Sequence, residues 1–310
     1  MSTKQKGKKP KEKLPFCSIL VLNYNGKRFL DACFRSLRRI NYPKNRYEVV
    51  MIDNASVDDS IKYVRKHFPW VKILELDKNY GFDGGYNKGI EKAKGEYLII
   101  LNNDTCVDEE WLIELVKVAN SDEEIGICGS KIVDEKLGEV GEGYINLIGI
   151  QYQKAGPTIK ECFWISDCSM LIKKEVVKKM GRVYDASYFI YFEEVDVCWR
   201  SRLLGYRVFF VPKSIVYHLG AATAGRMGSI MAFYHYRNKI WTFRKNTRFP
   251  LTQFLMIPIS IMTLFMTAYL ATRKRWGYGI QPLKYVFAKK EKTPTVNQIS
   301  LKDQLKLFFV

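Results

Sequence analysis

Glu96-Tyr97-Leu98-Ile99-Ile100-Leu101-Asn102-Asn103-Asp104-Thr105 is the stretch whose reading decides the fold. Tyr97 to Leu101 is an unbroken apolar run, the pattern of a strand buried on both faces of a sheet. It stops on three polar side chains, Asn102, Asn103 and Asp104. In an open α/β sheet, ligands bind just beyond the carboxyl ends of the strands, and a carboxylate placed there can hold a divalent cation against a diphosphate. Asn and Asp are also favoured turn formers, so a plain strand-to-turn junction fits the same residues.

Working outward, the pattern repeats. Phe16 to Leu22 is a β-rich run ending in Asn23-Tyr24-Asn25-Gly26, and Lys27 to Ile40 carries apolar residues at helical spacing. Tyr47 to Ile52 reads as a second buried strand ending in Asp53. Ser56 then fits the N-cap of the next helix, with Asp58 and Asp59 in its first turn. Val71 to Leu76 is a third strand, followed by Asn79-Tyr-Gly-Phe-Asp-Gly-Gly-Tyr-Asn87 and a short helix. Gly81, Gly84, Gly85 and Gly89 read equally as a flexible turn or as a loop whose backbone N–H groups approach a ligand. Strands alternating with helices predict a doubly wound, mostly parallel sheet. Its polar strand ends then converge, so that Asp53, the glycine run and Asp104 share a crevice.

Downstream, Trp111 to Val118 reads as a helix and Ile125 to Val133 as a strand, after which residues 134–160 are Gly-rich and weakly patterned. Cys162 to Ile172 is apolar around Ser166-Asp167. A second polar cluster, Tyr191-Phe-Glu193-Glu194-Val-Asp196, leads into a helix over Val197 to Leu204. Acids at a helix N-terminus suit the dipole; beside aromatic rings they also suit a catalytic base with a tuned pKa. Tyr206 to Val211 and Ser214 to Tyr217 are β-like and lead to His218, one of three histidines, which reads as a candidate metal ligand or as a polar surface residue.

The net charge of +18 calls for an anionic partner: nucleic acid, a membrane surface or a phosphorylated substrate. A nucleic-acid module needs basic residues interleaved with aromatics on one face, whereas here they crowd the N-terminus and the flanks of an apolar segment. Seven scattered cysteines without a Cys-x-x-Cys pair predict buried, reduced thiols. Residues 1–14 read as a basic disordered tail or a polybasic membrane contact. Phe249 to Thr272 has no charged residue and basic clusters on both sides, which predicts a membrane-associated helix over 247–275, spanning or lying in the plane, before a tail over 276–310; a core helix of a soluble protein fits the same length.

Taken in order, these pieces resemble a family 2 glycosyltransferase of the GT-A fold. The matching segments are Ser18 to Gly26, Asp53-Asn-Ala-Ser56, Asn79 to Asn87, Leu101 to Thr105, Tyr191 to Arg200, Gly205-Tyr206, His218 and Tyr236-Arg-Asn238. Within the family the chain most resembles the rhamnosyltransferase-like branch that builds cell-surface polysaccharides. The resemblance implies a catalytic domain over 15–246, with a nucleotide-sugar half (15–133) and an acceptor half (134–246). It implies a nucleotide-sugar pocket of Asn23, Tyr24, Asn25, Asp53, Asn79, Gly81, Phe82, Gly84, Gly85, Asn87, Asn102 and Asn103, with Mg²⁺ or Mn²⁺ on Asp104 and His218. Glu194 stands at the family's base position, with Glu193 and Asp196 as the other acids. Asn102 replaces the first acid of the family's Asp-x-Asp motif. Asp83 and Asp167 stand where small residues are usual. The implied activity is inverting, metal-dependent transfer from a nucleotide-diphosphate sugar to a hydroxyl of a glycan or lipid-linked acceptor at the cytoplasmic face of the membrane, with Arg200 or Arg202 aiding the leaving diphosphate. Transfer to a polyprenol phosphate is the alternative, and a non-catalytic transferase fold a further one.

Overall fold

The computed structural model describes residues 14–146, 149–219 and 228–248, part of 251–265, and 300–308 except 307. Four parallel strands form its nucleus: β1 (Cys17–Asn23), β2 (Tyr47–Asp53), β3 (Lys72–Glu75) and β4 (Tyr97–Asn102), in the order β3-β2-β1-β4. Helices α1 (Lys27–Arg39), α2 (Ser60–His67) and α3 (Gly81–Lys92) make the crossovers. The alternation of residues along each strand explains the two-sided burial. Ile19, Val21, Val49, Met51, Ile99 and Leu101 pack against Leu30, Phe34 and Leu37 of α1, Val64 of α2 and Trp111 of α4 (Trp111–Asn120). Leu20, Val50, Ile52, Leu98 and Ile100 face the other way, onto Tyr86 of α3 and the later helices. Strands covered on both faces have no polar side to show, hence the continuous apolar runs in the sequence.

Beyond β4 the sheet becomes mixed. Its neighbour is β11 (Ser169–Lys173), antiparallel to both β4 and β6 (Ile125–Asp134); β12 (Arg207–His218) then runs parallel to β6. The two β-like segments expected around 206–217 form this one strand, irregular between Val211 and Ile215. Short β5 (Thr105–Val107) pairs with the end of β12, setting His218 opposite Thr105. The weakly patterned region holds β7 (Gly138–Val140), the hairpin β8 (Glu142–Ile145) and β9 (Gln151–Lys154), and β10 (Lys160–Glu161). Helices α5 (Lys174–Met180), α6 (Glu193–Leu203) and α7 (Gly228–Asn246) complete the second layer.

Two local expectations are corrected. The glycine run is not a loop but the first turns of α3. A Cβ on Gly89 would stand 2.1 Å from Ile52 Cδ1, and one on Gly85 2.6 Å from Leu22 Cδ1. These glycines let the helix sit close on the sheet. Ser56 does not cap α2, which starts at Ser60 after Asp59 in a left-handed conformation. Its hydroxyl accepts from Asn23 and from the Asn25 N–H instead. The seven cysteines are unpaired and all but Cys106 are buried. Most of 249–272 and residues 1–13 lie outside the described residues, among which no helix is long and apolar enough to cross a membrane.

Candidate active site

The carboxyl ends of β1, β2 and β4 lie side by side: Asn23 pairs with Asp53 in the register, and Leu22 with Asn102. Asn23 is fully buried and ties the edge together. Its amide donates to Asp53 Oδ1 (3.0 Å), and its oxygen accepts from Asn103 Nδ2 (2.9 Å). Asp53 Oδ2 accepts from the Ser56 N–H, and Asn25 Oδ1 from the Val57 N–H. Tyr24 stands about half exposed at the rim. This is a rigid, polar floor held by side chains whose own rotamers are fixed by hydrogen bonds.

Several residues expected to line the donor pocket serve the scaffold. Asn79 and Asn54 bond one another and the first turn of α3. Asn87 clamps Tyr184 through both backbone groups, at 2.8 and 3.1 Å. Phe82 packs on Tyr86 and Tyr184. Gly81 has φ +74°, a conformation suited to glycine, and Phe189 lies where its Cβ would be. Gly84 and Gly85 are buried inside the helix.

Asp104 follows β4 in a tight turn and meets His218 from the end of β12, carboxylate to Nε2 at 3.3 Å. The other ring nitrogen of His218 bonds Asp134, the last residue of β6, at 2.7 Å. The hydrogen bond to Asp104, and behind it Asp134, raise the His218 pKa to about 9 against the opposing effect of burial. The same contact holds the Asp134 carboxyl below its ordinary range. A carboxylate that fixes one imidazole nitrogen and leaves the other beside a second carboxylate is the pattern of an oriented metal-ligating histidine. One carboxylate and one imidazole suit Mn²⁺ or Mg²⁺ when diphosphate and water complete the shell. Asp134 was missed in the sequence; its signal was an acid ending an apolar strand, as Asp53 does.

The second cluster sits at the N-terminus of α6. Phe189, Tyr191 and Phe192, just before it, all have φ near +70°. Such residues cost of order 1–3 kcal/mol each and persist where the surroundings force them, typically at functional sites. Here α7 does the forcing: Asn238 Nδ2 donates to the carbonyls of Tyr188, Ile190 and Tyr191, and Arg237 to those of Ser187 and Tyr188. The loop thereby presents Glu193 and Glu194, whose carboxylates converge with Asp167, all three within 4.8 Å of one another. Burial raises the Glu194 pKa to about 7. Glu193 is pushed well above its ordinary value, first by burial and then by Asp83 and Asp167.

Asp196 is differently placed. It accepts from Arg200 at 2.8 Å, Lys245 at 2.7 Å and Asn246 at 2.8 Å, and is held below its ordinary pKa against the pull of burial. Arg200 and Arg202 are also committed, Arg200 to Asp196 and two carbonyls, Arg202 to Glu161 and the Cys162 carbonyl. Neither is placed for a leaving diphosphate. The two clusters are joined through the backbone, since the Asn102 N–H donates to the Cys168 carbonyl at 3.1 Å and sets Asp167 beside the end of β4.

Known proteins share this architecture. A family model described as Glycosyl transferase family 2 matches residues 18–181. The glycosyltransferase AglE of Haloferax volcanii is 31% identical over 102 residues, 32% of this chain and 34% of that protein. The poly-beta-1,6-N-acetyl-D-glucosamine synthase of Staphylococcus epidermidis is 25% identical over 217 residues, 67% and 51% respectively. The chain thus spans only a third to a half of these curated relatives' length. Among solved structures, GalNAc-T7 with UDP, GalNAc and Mn²⁺ superposes with a TM-score of 0.65 at 17% identity, covering 89% of this chain and 54% of that one. The mannosyltransferase PcManGT of Pyrobaculum calidifontis, in complex with GDP-Man and Mn²⁺, gives 0.58 at 15%, covering 96% and 81%. The structural likeness fixes the fold as GT-A-like. Since the family model covers more than half of the sequence, the chain belongs to glycosyl transferase family 2.

Proposed function

We propose that the chain is an inverting glycosyltransferase that moves a sugar from a nucleotide-diphosphate donor to a hydroxyl of a glycan acceptor, lipid-linked in the cell. The observation that carries this reading is the Asn102–Cys168 backbone bond, which brings the end of β4, where Asp104 meets His218, beside the acid cluster of Asp167, Glu193 and Glu194. Asn23, Asp53 and Asn103 supply the polar floor for the nucleoside. Asp104 and His218 would hold Mn²⁺ or Mg²⁺, which when bound neutralises charge on the departing diphosphate. Glu194 takes the acceptor proton as the hydroxyl attacks the anomeric carbon, and its near-neutral pKa suits that task. Asp196, locked between Arg200 and Lys245, positions α6 instead.

A catalytic role at the cytoplasmic face of the membrane, in the rhamnosyltransferase-like branch, completes the reading. In its support, Leu251, Leu255 and Ile259 are buried in the core while Phe254, Ile257, Ile261 and Phe265, all helical, are exposed. That apolar stripe favours a helix lying in the membrane plane. The test is product analysis by NMR after incubation with a panel of nucleotide sugars, Mn²⁺ and a lipid-linked acceptor. The linkage should have the anomeric configuration opposite to the donor's; retention would overturn the single-displacement mechanism.

A further inference from the structure

Helix α7 carries two basic side chains, one turn apart on the same face, that the scaffold does not use. Lys239 is only 3% exposed, yet among the described residues no carboxylate lies within 4.0 Å of its Nζ and no oxygen accepts from it. His235, one turn earlier, likewise has no hydrogen-bond partner among the described residues. Its ring packs on Phe192 at 5.2 Å and Tyr191 at 6.5 Å, directly before Glu193 and Glu194. Gly149, in the turn of the β8–β9 hairpin, lies over Lys239: a Cβ there would stand 2.7 Å from its Cε and 3.3 Å from the Phe243 ring. Neither side chain has its nitrogens sealed from solvent as the Asp83 oxygens are, so both keep a narrow opening.

A buried ammonium without a counter-charge is costly. Burial lowers the Lys239 pKa to about 8, and burial followed by Lys239 lowers that of His235 to about 4. His235 is therefore neutral and offers an N–H, while Lys239 is still mostly charged at neutral pH. The same helix shows what a structural lysine looks like. Lys245 is also buried, and Asp196 at 2.7 Å and Asp185 at 3.3 Å answer it. No acid of the scaffold answers Lys239, and buried polar groups left unsatisfied in this way are often completed by a ligand.

We propose that Lys239 and His235 form a phosphate subsite on the acceptor side of the cleft, so that the acceptor of this transferase carries a phosphate near the hydroxyl that attacks. The proposal rests on the transferase reading above. A lone ammonium is a point charge and suits a phosphate oxygen, whereas a planar carboxylate is better matched by the fork of an arginine. The donor's diphosphate belongs with Asp104 and His218 at the ends of β4 and β12, while α7 and the hairpin lie in the half beyond β4. Neither Lys239 nor His235 bonds Glu194, which stays available to take the proton.

Calorimetry on the full chain tests this, with UDP or GDP and Mn²⁺ held at saturation so that the donor's phosphate positions are filled. Glucose, galactose and mannose 1-phosphates are compared with their methyl glycosides, with methyl glucuronide, and with glycerol 3-phosphate and farnesyl phosphate. At least one phosphate is expected to bind about tenfold tighter than the uncharged and carboxylate probes, and the best of them identifies its source as a sugar, a polyol or a lipid. Lys239→Met should erase that preference and leave nucleotide affinity within about twofold. The proposal is overturned if no phosphate is preferred, if the preference survives Lys239→Met, or if methyl glucuronide matches the best phosphate. It is overturned equally if Lys239→Met weakens the nucleotide instead, which would give the lysine to the donor. Where Lys239→Met does not fold, His235→Phe, which keeps a ring against Phe192, should weaken the phosphate about threefold, and unchanged affinity would refute the subsite. Absence of any nucleotide binding to wild type would instead sink the transferase reading itself.

Discussion

Glu194→Gln is the most informative single substitution. Glutamine keeps the side chain's length and its capacity to accept hydrogen bonds but cannot take a proton. Burial raises Glu194 from 4.5 to about 7, so in wild type the base is about one-tenth ionised at about pH 6 and about nine-tenths at about pH 8. The sign follows directly: the deprotonated form is active, so kcat should climb about tenfold across that interval and then level off. The substitution should lower the plateau by ~10²–10⁴, equivalent to about 3–5 kcal/mol of transition-state stabilisation, and flatten the pH dependence. Donor KM should move by no more than about twofold, because the lost interaction belongs to the transition state. Initial-rate transfer assays with saturating donor, repeated across that pH range, measure all three quantities. A variant with the wild-type rate and pH slope would refute the assignment of the base. It would also favour an acceptor that is already ionised, such as a polyprenol phosphate.

Other outcomes can be checked with the same preparation. Asp104→Ala should abolish divalent-dependent transfer and weaken Mn²⁺ binding measured by titration, since it removes the one carboxylate at that end of β4. Asp196→Asn should cost about 3–5 kcal/mol in urea unfolding by leaving Arg200 and Lys245 short of a buried counter-charge, while kcat per folded molecule changes far less than in Glu194→Gln. Asp83 has a folded-state pKa raised first by burial, then by Asp185 and Asp196, so its contribution to stability falls as pH rises above its unfolded value. Asp83→Asn should therefore gain stability relative to wild type between about pH 5 and about pH 8, and equal urea midpoints at both would contradict that burial. Gly89→Val should lower the unfolding free energy by about 1–3 kcal/mol, because its side chain meets the fully buried Ile52.

How far the sequence reaches depends on what kind of signal each feature leaves. Strands buried on both faces announce themselves, and their polar ends at Asn23, Asp53 and Asn102 to Asp104 could be placed on one edge before any coordinates. The glycine run could not be read correctly by its local pattern. Gly85 and Gly89 look like a loop because the reason for them lies across the fold, in Leu22 and Ile52. The same holds for Asn79 and Asn87, whose amides serve α3 and Tyr184 and whose partners are invisible in sequence. Residues 134–160 gave no strand signal because β7 and β9 are short and solvent-facing, with no apolar face to mark them. Asp134 and β5 were missed for a related reason: both acquire meaning only when β12 arrives to place His218. The distinction between Glu194 and Asp196 needed Lys245 and Arg200 in space, since two acids separated by one residue look alike on paper.

The insertion of β11 between β4 and β6 has a consequence for synthesis. Neither β4 nor β6 bonds the other, and each waits for a strand encoded some forty or more residues later in the chain. As the protein leaves the ribosome, the nucleotide-binding strands can pair among themselves, but the open edge of β4 stays unpaired until Ser169 to Lys173 emerges. During that interval it offers unsatisfied backbone groups and apolar side chains to any neighbour. A nascent chain arrested before that point should be a target for chaperones and prone to aggregate, and one arrested after it should not.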